Sequence, residues 1–136
     1  MSDEKRIYRY DQPKVIIESP FHDDDGNKVS RNVAYARACL EHSLGLGEMP
    51  FAGHLIYPMV LNDDDPDERR IGMRAGLTWM EIADYVAVYT DLGISPGMKF
   101  GIEEASIMGK RVEFREIPDF EQKVTYHENR AKADRA

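Results

Sequence analysis

Five β-favouring residues in a row, Tyr85 to Tyr89, run without a polar break into a turn and helix start at Asp91-Leu92-Gly93-Ile94-Ser95-Pro96-Gly97-Met98. No other stretch constrains the fold as much. An unbroken apolar run of this length predicts a strand covered on both faces. Ser95 is positioned to cap the helix, Pro96 takes the first helical position, and Gly97 lets backbone or ligand come close. Open α/β sheets bind small anions where a strand end feeds a helix N-terminus, because free N–H groups point outward and the helix dipole favours negative charge. The segment predicts a nucleotide or phosphate pocket and leaves open whether chemistry happens there.

The flanking sequence supplies the rest of such a sheet. Pro13 precedes Lys14-Val15-Ile16-Ile17-Glu18, a short β-branched strand stopped by Ser19-Pro20. Ser30 is positioned to cap a helix to about Gly45, with Val33, Ala36, Leu40 and Leu44 at helical spacing. A second strand is expected within residues 50–57. Asp65 then caps a helix that has Pro66 first and Glu68 three residues after the cap; Ile71, Ala75, Thr78 and Ile82 mark one face. A helix from Pro96 to Met108 and a strand from Arg111 to Arg115 complete the core. Strands alternating with helices predict a single α/β, Rossmann-like, three-layer domain with a mostly parallel four- or five-stranded sheet. Residues 1–12 read as a flexible arm, 13–117 as the domain, and 118–136 as a polar extension that either forms a peripheral helix or frays.

Composition narrows the partners. The formal net charge of −7 argues against an electrostatically driven nucleic-acid binder but is compatible with a nucleotide monomer held in one pocket. No apolar run approaches the roughly 20 residues of a bilayer span, and no apolar signal core follows the first charged residues. With Cys39 as its one cysteine, the chain is expected to be cytoplasmic, without disulfides. No cofactor and no metal site are expected. Asp23-Asp24-Asp25 puts Lys28 where a calcium loop needs Gly and Ala34 where it needs Glu, and Asp63-Asp64-Asp65 is explained by a turn and a cap.

Individual candidates carry two readings each. Ser95 caps a helix, holds a phosphate, or does both. Asp84 is an ordinary turn residue or a group acting on a bound base, and Asp91 binds a ribose hydroxyl, orients water or bonds its own loop. His54, in an apolar stretch, is a satisfied rim residue or a pocket contact. Arg69 and Arg70 belong to a solvated helix face or reach an anion across a dimer. Trp79 packs against the sheet or against a partner subunit.

Ser95-Pro96-Gly97, the helix to Ala105 and Gly109-Lys110-Arg111-Val112 together resemble the signature of the nucleoside 2-deoxyribosyltransferase-like superfamily, which includes 2'-deoxynucleoside 5'-monophosphate N-glycosidases. Ser19-Pro20-Phe21, Asn32 with Ala36, Pro50 to His54-Leu55, and Ala83-Asp84 extend the resemblance over about residues 14–115. The pattern is most similar to a small subgroup of phage and actinobacterial genomes. The resemblance implies that Ser95, Pro96, Gly97 and Met98 hold a 5'-phosphate, because the free-nucleoside transferases have an Asp at Ser95 that would repel it. It implies that Ser19, Pro20 and Phe21 line the sugar and base site and that Asp84 assists the base, while His54, as a pocket contact, would meet phosphate or base. It also implies a homodimer or larger homo-oligomer.

One position departs from the pattern. The nucleophilic Glu of the superfamily stands six residues after Ser95, at Gly101, and glycine cannot form a glycosyl-enzyme intermediate. Glu103 lies roughly 200° round the helix from it, whereas Glu104 lies near the same face one turn deeper. Gly101 either eases helix packing or marks a pocket that lost its nucleophile and gained room. Three functions follow. The first is an N-glycosidase or transferase acting on a nucleoside 5'-phosphate, with Glu104 or a water oriented by Asp91 attacking. The second is a module that binds a nucleotide or ADP-ribose-like ligand without cleaving it, and the third is a purely structural interaction protein.

Overall fold

The computed structural model describes residues 10–21 and 26–134, without the side chains of residues 26–29. Most of the expected N-terminal arm and the Asp23-Asp24-Asp25 loop lie outside the described residues. The elements are β1 (Lys14–Glu18), α1 (Gly26–Gly45), β2 (Met49–Phe51), α2 (Pro66–Ile82), β3 (Tyr85–Tyr89), α3 (Pro96–Ile107), β4 (Arg111–Arg115) and α4 (Phe120–Asp134). Two single turns of 3₁₀ helix, Gly53–Leu55 and Tyr57–Met59, connect β2 to α2.

All four strands are parallel, in the order β2-β1-β3-β4. The expected α/β three-layer architecture is present, with four strands. Period-2 alternation sorts the strand residues into two cores. Val15, Ile17, Ala87 and Tyr89 face α1 and α4, where Tyr35, Cys39 and Val124 are buried with them. Ile16, Val86 and Val88 face α2 and α3, packing on Met80, Met98 and Ala105. β3 is covered on both sides, as its unbroken apolar run requires; full burial of each such side chain contributes about 1.5–3 kcal/mol.

Three local expectations are revised. α1 begins at Gly26, so Ser30 lies inside it rather than capping it; residues 27–29 contain nothing that breaks a helix. β2 has only three residues, because Pro50 suits an edge strand and the chain leaves the sheet at Ala52-Gly53. On α2, Ile71, Thr78 and Ile82 face outward, whereas Gly72, Gly76 and Met80 make the inner face at i, i+4, i+8. Of the two alternatives for the C-terminal extension the helix is present, and it docks on α1 through Val124 and His127.

Candidate functional site

β1 sends its crossover to one neighbour and β3 sends its crossover to the other, so the chain parts at their C-terminal ends. Crevices of this kind are where open parallel sheets take ligands. A cavity of about 850 Å³ lies there. Its walls are the end of β1 with Ser19-Pro20-Phe21, the 3₁₀ turns around His54 and Tyr57, the glycine face of α2, and the segment from Ile94 to Gly101. That volume is in the range of small-molecule sites, and the walls are mostly apolar with a few polar groups.

The helix start is built as its sequence predicts. Ser95 Oγ accepts a hydrogen bond from Met98 N at 3.2 Å, and Pro96 occupies the first turn. Capping uses a lone pair of the hydroxyl and leaves its O–H free to donate. Gly97 is exposed, and a Cβ added there would meet only Ser95 Oγ, 4.0 Å away. The corner is thus open space beside a helix N-terminus. Met98 is buried beneath it and joins the core.

Opposite that corner, Ser19 Oγ and His54 Nε2 lie 2.7 Å apart, a hydrogen bond whose direction follows the imidazole tautomer. Burial holds the His54 pKa down at about 4, so the ring is neutral near pH 7. Phe21 meets His54 edge to face, and its carbonyl accepts from Asn32 Nδ2 at 3.1 Å, which fixes the loop after β1 to α1. Two cations also line the cavity. Arg31 lies 3.7 Å from Glu121, and Arg69 3.6 Å from Asp63. Arg69 therefore faces its own chain's cavity and needs no dimer to do so.

The residue that sequence reasoning missed is Glu18. It ends β1 in phase with Ile16, so it points to the α2/α3 side of the sheet and into the cavity. A Cβ built on Gly101 would lie 2.4 Å from Glu18 Oε1, 2.7 Å from Cδ and 3.0 Å from Oε2. The carboxyl thus occupies the volume that a side chain at position 101 would enter, and one of the two would have to shift for both to fit. Burial pushes the Glu18 pKa up to about 8. A signal was available: Glu18 is the one charged residue closing a run of three aliphatics.

The three carboxylates expected to be catalytic are not brought into the cavity. Asp84 sits at the opposite, N-terminal edge of the sheet, where its Oδ2 accepts from Lys14 N at 2.7 Å. That bond ties β1 to β3 and leaves a base in the cavity out of its reach. Asp91 accepts from Tyr35 O–H at 2.7 Å and from Ile117 N at 3.0 Å, tying β3 to α1 and the chain after β4. Its carboxylate is committed on the other face. Glu104 is half-buried on α3 beyond Gly101 and does not line the cavity. The cavity does gather Ser19, Pro20, Phe21, His54, Ser95, Pro96, Gly97, Met98 and Gly101.

Among the described residues no helix is long and apolar enough to cross a membrane. No curated protein matches the chain in sequence. A solved structure, the 2-deoxyribosyltransferase of the psychrotolerant bacterium Bacillus psychrosaccharolyticus, is similar with a TM-score of 0.53 at 20% identity, over 76% of this chain and 72% of that one. At that identity the likeness is one of fold, and it agrees with the parallel α/β sheet described above. The stretch from just before β1 to the end of β4, residues 13–115, matches the family described as "Domain of unknown function (DUF7768)", and the chain belongs to that family.

Proposed function

We propose that the protein binds a nucleoside 5'-phosphate in this cavity and cleaves or transfers its N-glycosidic bond. The observation that carries the reading is the pairing of an open helix start at Ser95-Pro96-Gly97 with a polar Ser19–His54 pair in one cavity. The first suits a phosphate through backbone N–H groups and the Ser95 hydroxyl. The second, framed by Phe21, Phe51 and Tyr57, suits a sugar and base. Arg31 and Arg69 bring guanidinium groups to the cavity, balanced by Asp63 and Glu68 in the same lining. The likeness of fold to a 2-deoxyribosyltransferase supports nucleoside chemistry.

A second reading, a nucleotide-binding module without turnover, is favoured by Gly101 and by the structural commitment of Asp84 and Asp91. Incubation with a panel of nucleosides and their 5'-phosphates separates the two. Free base detected by chromatography supports the glycosidase, and a raised melting temperature with intact ligand supports the binder. Neither response would defeat both. Ser95→Asp is expected to cut affinity for the 5'-phosphate by tenfold or more, about 1.4 kcal/mol, and to spare the free nucleoside. Equal losses for both ligands would remove Ser95 from the phosphate site. Assembly as a homo-oligomer in the cytoplasm belongs to the same proposal.

A further inference from the structure

We propose that Glu18, on β1, is the catalytic carboxylate of this site, standing in the space that Gly101 leaves open on α3. The inference rests on the glycosidic reading above and adds the group that reading lacks. Its basis is spatial. The carboxyl overlaps the position of a side chain at residue 101, with Oε1 2.4 Å from where the Cβ would be. Both residues line the cavity. A side chain at 101 and the Glu18 carboxyl in its present position do not share that space, and on this proposal glycine at 101 and glutamate at 18 are one exchange.

The surroundings of Glu18 suit chemistry better than structure. Buried carboxylates that serve the fold are held by donors. Among the described residues no hydrogen bond or ion pair reaches this one. Burial favours its protonated form below about pH 8. A developing positive charge on a sugar ring is the neighbour that would stabilise the ionised form, as in other carboxylate-assisted glycosidic cleavages. In the step we assign, a lone pair of the ionised carboxylate forms a bond to C1' as the C1'–N bond breaks. The bonding pair leaves with the base nitrogen, which takes a proton from solvent. Water then attacks C1' of the ester: its oxygen stays on the sugar, its proton passes to solvent, and the carboxylate is regenerated. A second base attacking in place of water gives transfer.

The test compares wild type, Glu18→Gln, Glu18→Ala and the double variant Glu18→Ala/Gly101→Glu, each shown to be folded by its melting curve. The probes are a nucleoside 5'-phosphate and an analogue whose 2-fluoro substituent slows hydrolysis of the ester. Wild type should release base and, with the analogue, gain the mass of one sugar phosphate on the peptide containing Glu18. Glu18→Gln should lose base release on the order of a thousandfold or more while keeping its ligand-induced rise in melting temperature. The double variant, with the carboxylate returned to the helix, should recover activity over Glu18→Ala. Wild-type kcat/KM should rise about tenfold per pH unit towards a plateau near pH 8. Base release that survives Glu18→Gln within about tenfold, an adduct on another residue, or kcat/KM falling above pH 8 would overturn the role of Glu18 alone. Wild type that binds nucleotides but never releases base would overturn it together with the glycosidic reading.

Discussion

Two glutamates, Glu48 buried and Glu18 half-buried at the cavity, stand on opposite faces of the same four-stranded sheet, and the fold treats them in opposite ways. On the α1/α4 face, Glu48 accepts from both Arg115 guanidinium ends at 2.8 and 2.6 Å, from Ser43 Oγ at 2.8 Å, and from Tyr85 O–H. Arg115 also donates to the Tyr89 hydroxyl oxygen at 3.2 Å, and that hydroxyl lies 2.8 Å from His42 Nδ1. Burial alone would raise the Glu48 pKa, but these donors outweigh it and hold the carboxyl at about 2. On the α2/α3 face, half-buried Glu18 has no donor among the described residues, and desolvation puts its pKa at about 8. Burial therefore does not by itself say what a carboxylate is for. A full shell of donors marks a group that organises the fold, whereas an unpartnered carboxyl facing a cavity marks one kept for a ligand.

Breaking the partnered site should have the largest effect. Arg115→Met leaves Glu48 buried and charged without its cation, which costs about 3–5 kcal/mol of unfolding free energy. Removing both charges, as Glu48→Leu/Arg115→Met, should return much of that loss, since a buried pair contributes little net stability beyond a well-packed apolar one. Ser43 and Tyr85 would still lack their acceptor, so recovery should be partial. Urea unfolding at pH 7 measures both. A single Arg115→Met as stable as wild type would show that the Glu48 site relaxes to water, and the contrast with Glu18 would lose its firmer half.

Glu18 should show the opposite pH response. Its folded pKa lies above the usual carboxylate value of 4.5, so the folded state binds the extra proton between about pH 4.5 and 8. Stability then falls as pH rises through that window, the reverse of a salt-bridged acid. Glu48 contributes stability above about pH 4.5 and loses it as pH falls towards 2. Glu18→Gln should therefore match wild type at pH 5 and exceed it by about 2 kcal/mol at pH 8.5. That figure is below the full 1.36 kcal/mol per pH unit because the carboxyl opens to the cavity. Equal melting temperatures for the two proteins across pH 5–9 would mean that the carboxyl finds a partner in solution.

The same contrast explains what was legible in the sequence. Features fixed by neighbours in the chain could be read directly: the Ser95 and Asp65 caps, the unbroken β3 run, and the order of strands and helices. Features fixed by residues far apart could not. Nothing local says that Glu18 covers Gly101, which is 83 positions later in the numbering. Nothing local says that Asp84 turns back to Lys14, or that Asp91 is taken by Tyr35 and Ile117. Resemblance found the cavity wall and the missing side chain at 101. It could not find Glu18, because the carboxyl that covers Gly101 comes from β1 and not from α3. On α2 the hydrophobic spacing points to Ile71, Thr78 and Ile82, whereas glycines at 72 and 76, which carry no hydrophobic signal, form the face that borders the cavity.

The smallest effect, and the sharpest for the exchange of position, is a double-mutant cycle on Gly101. In a helix interior alanine is favoured over glycine by about 1 kcal/mol, so Gly101→Ala should stabilise any protein with room for a methyl. Here that methyl would sit 2.4 Å from Glu18 Oε1 and force the carboxyl out of its position. Because the obstacle is the tip of a flexible side chain rather than backbone, it should yield at modest cost. The expected result in wild type is a net loss of about 1 kcal/mol. In the Glu18→Ala background the obstacle is gone, and the same substitution should gain about 0.5–1 kcal/mol. The sign reversal is the coupling between the two positions, about 1.5–2 kcal/mol, well beyond the 0.3–0.5 kcal/mol scatter of independent sites. Additive effects would show that the carboxyl swings aside freely, and Gly101 would then owe its identity to the packing of α3 and not to Glu18.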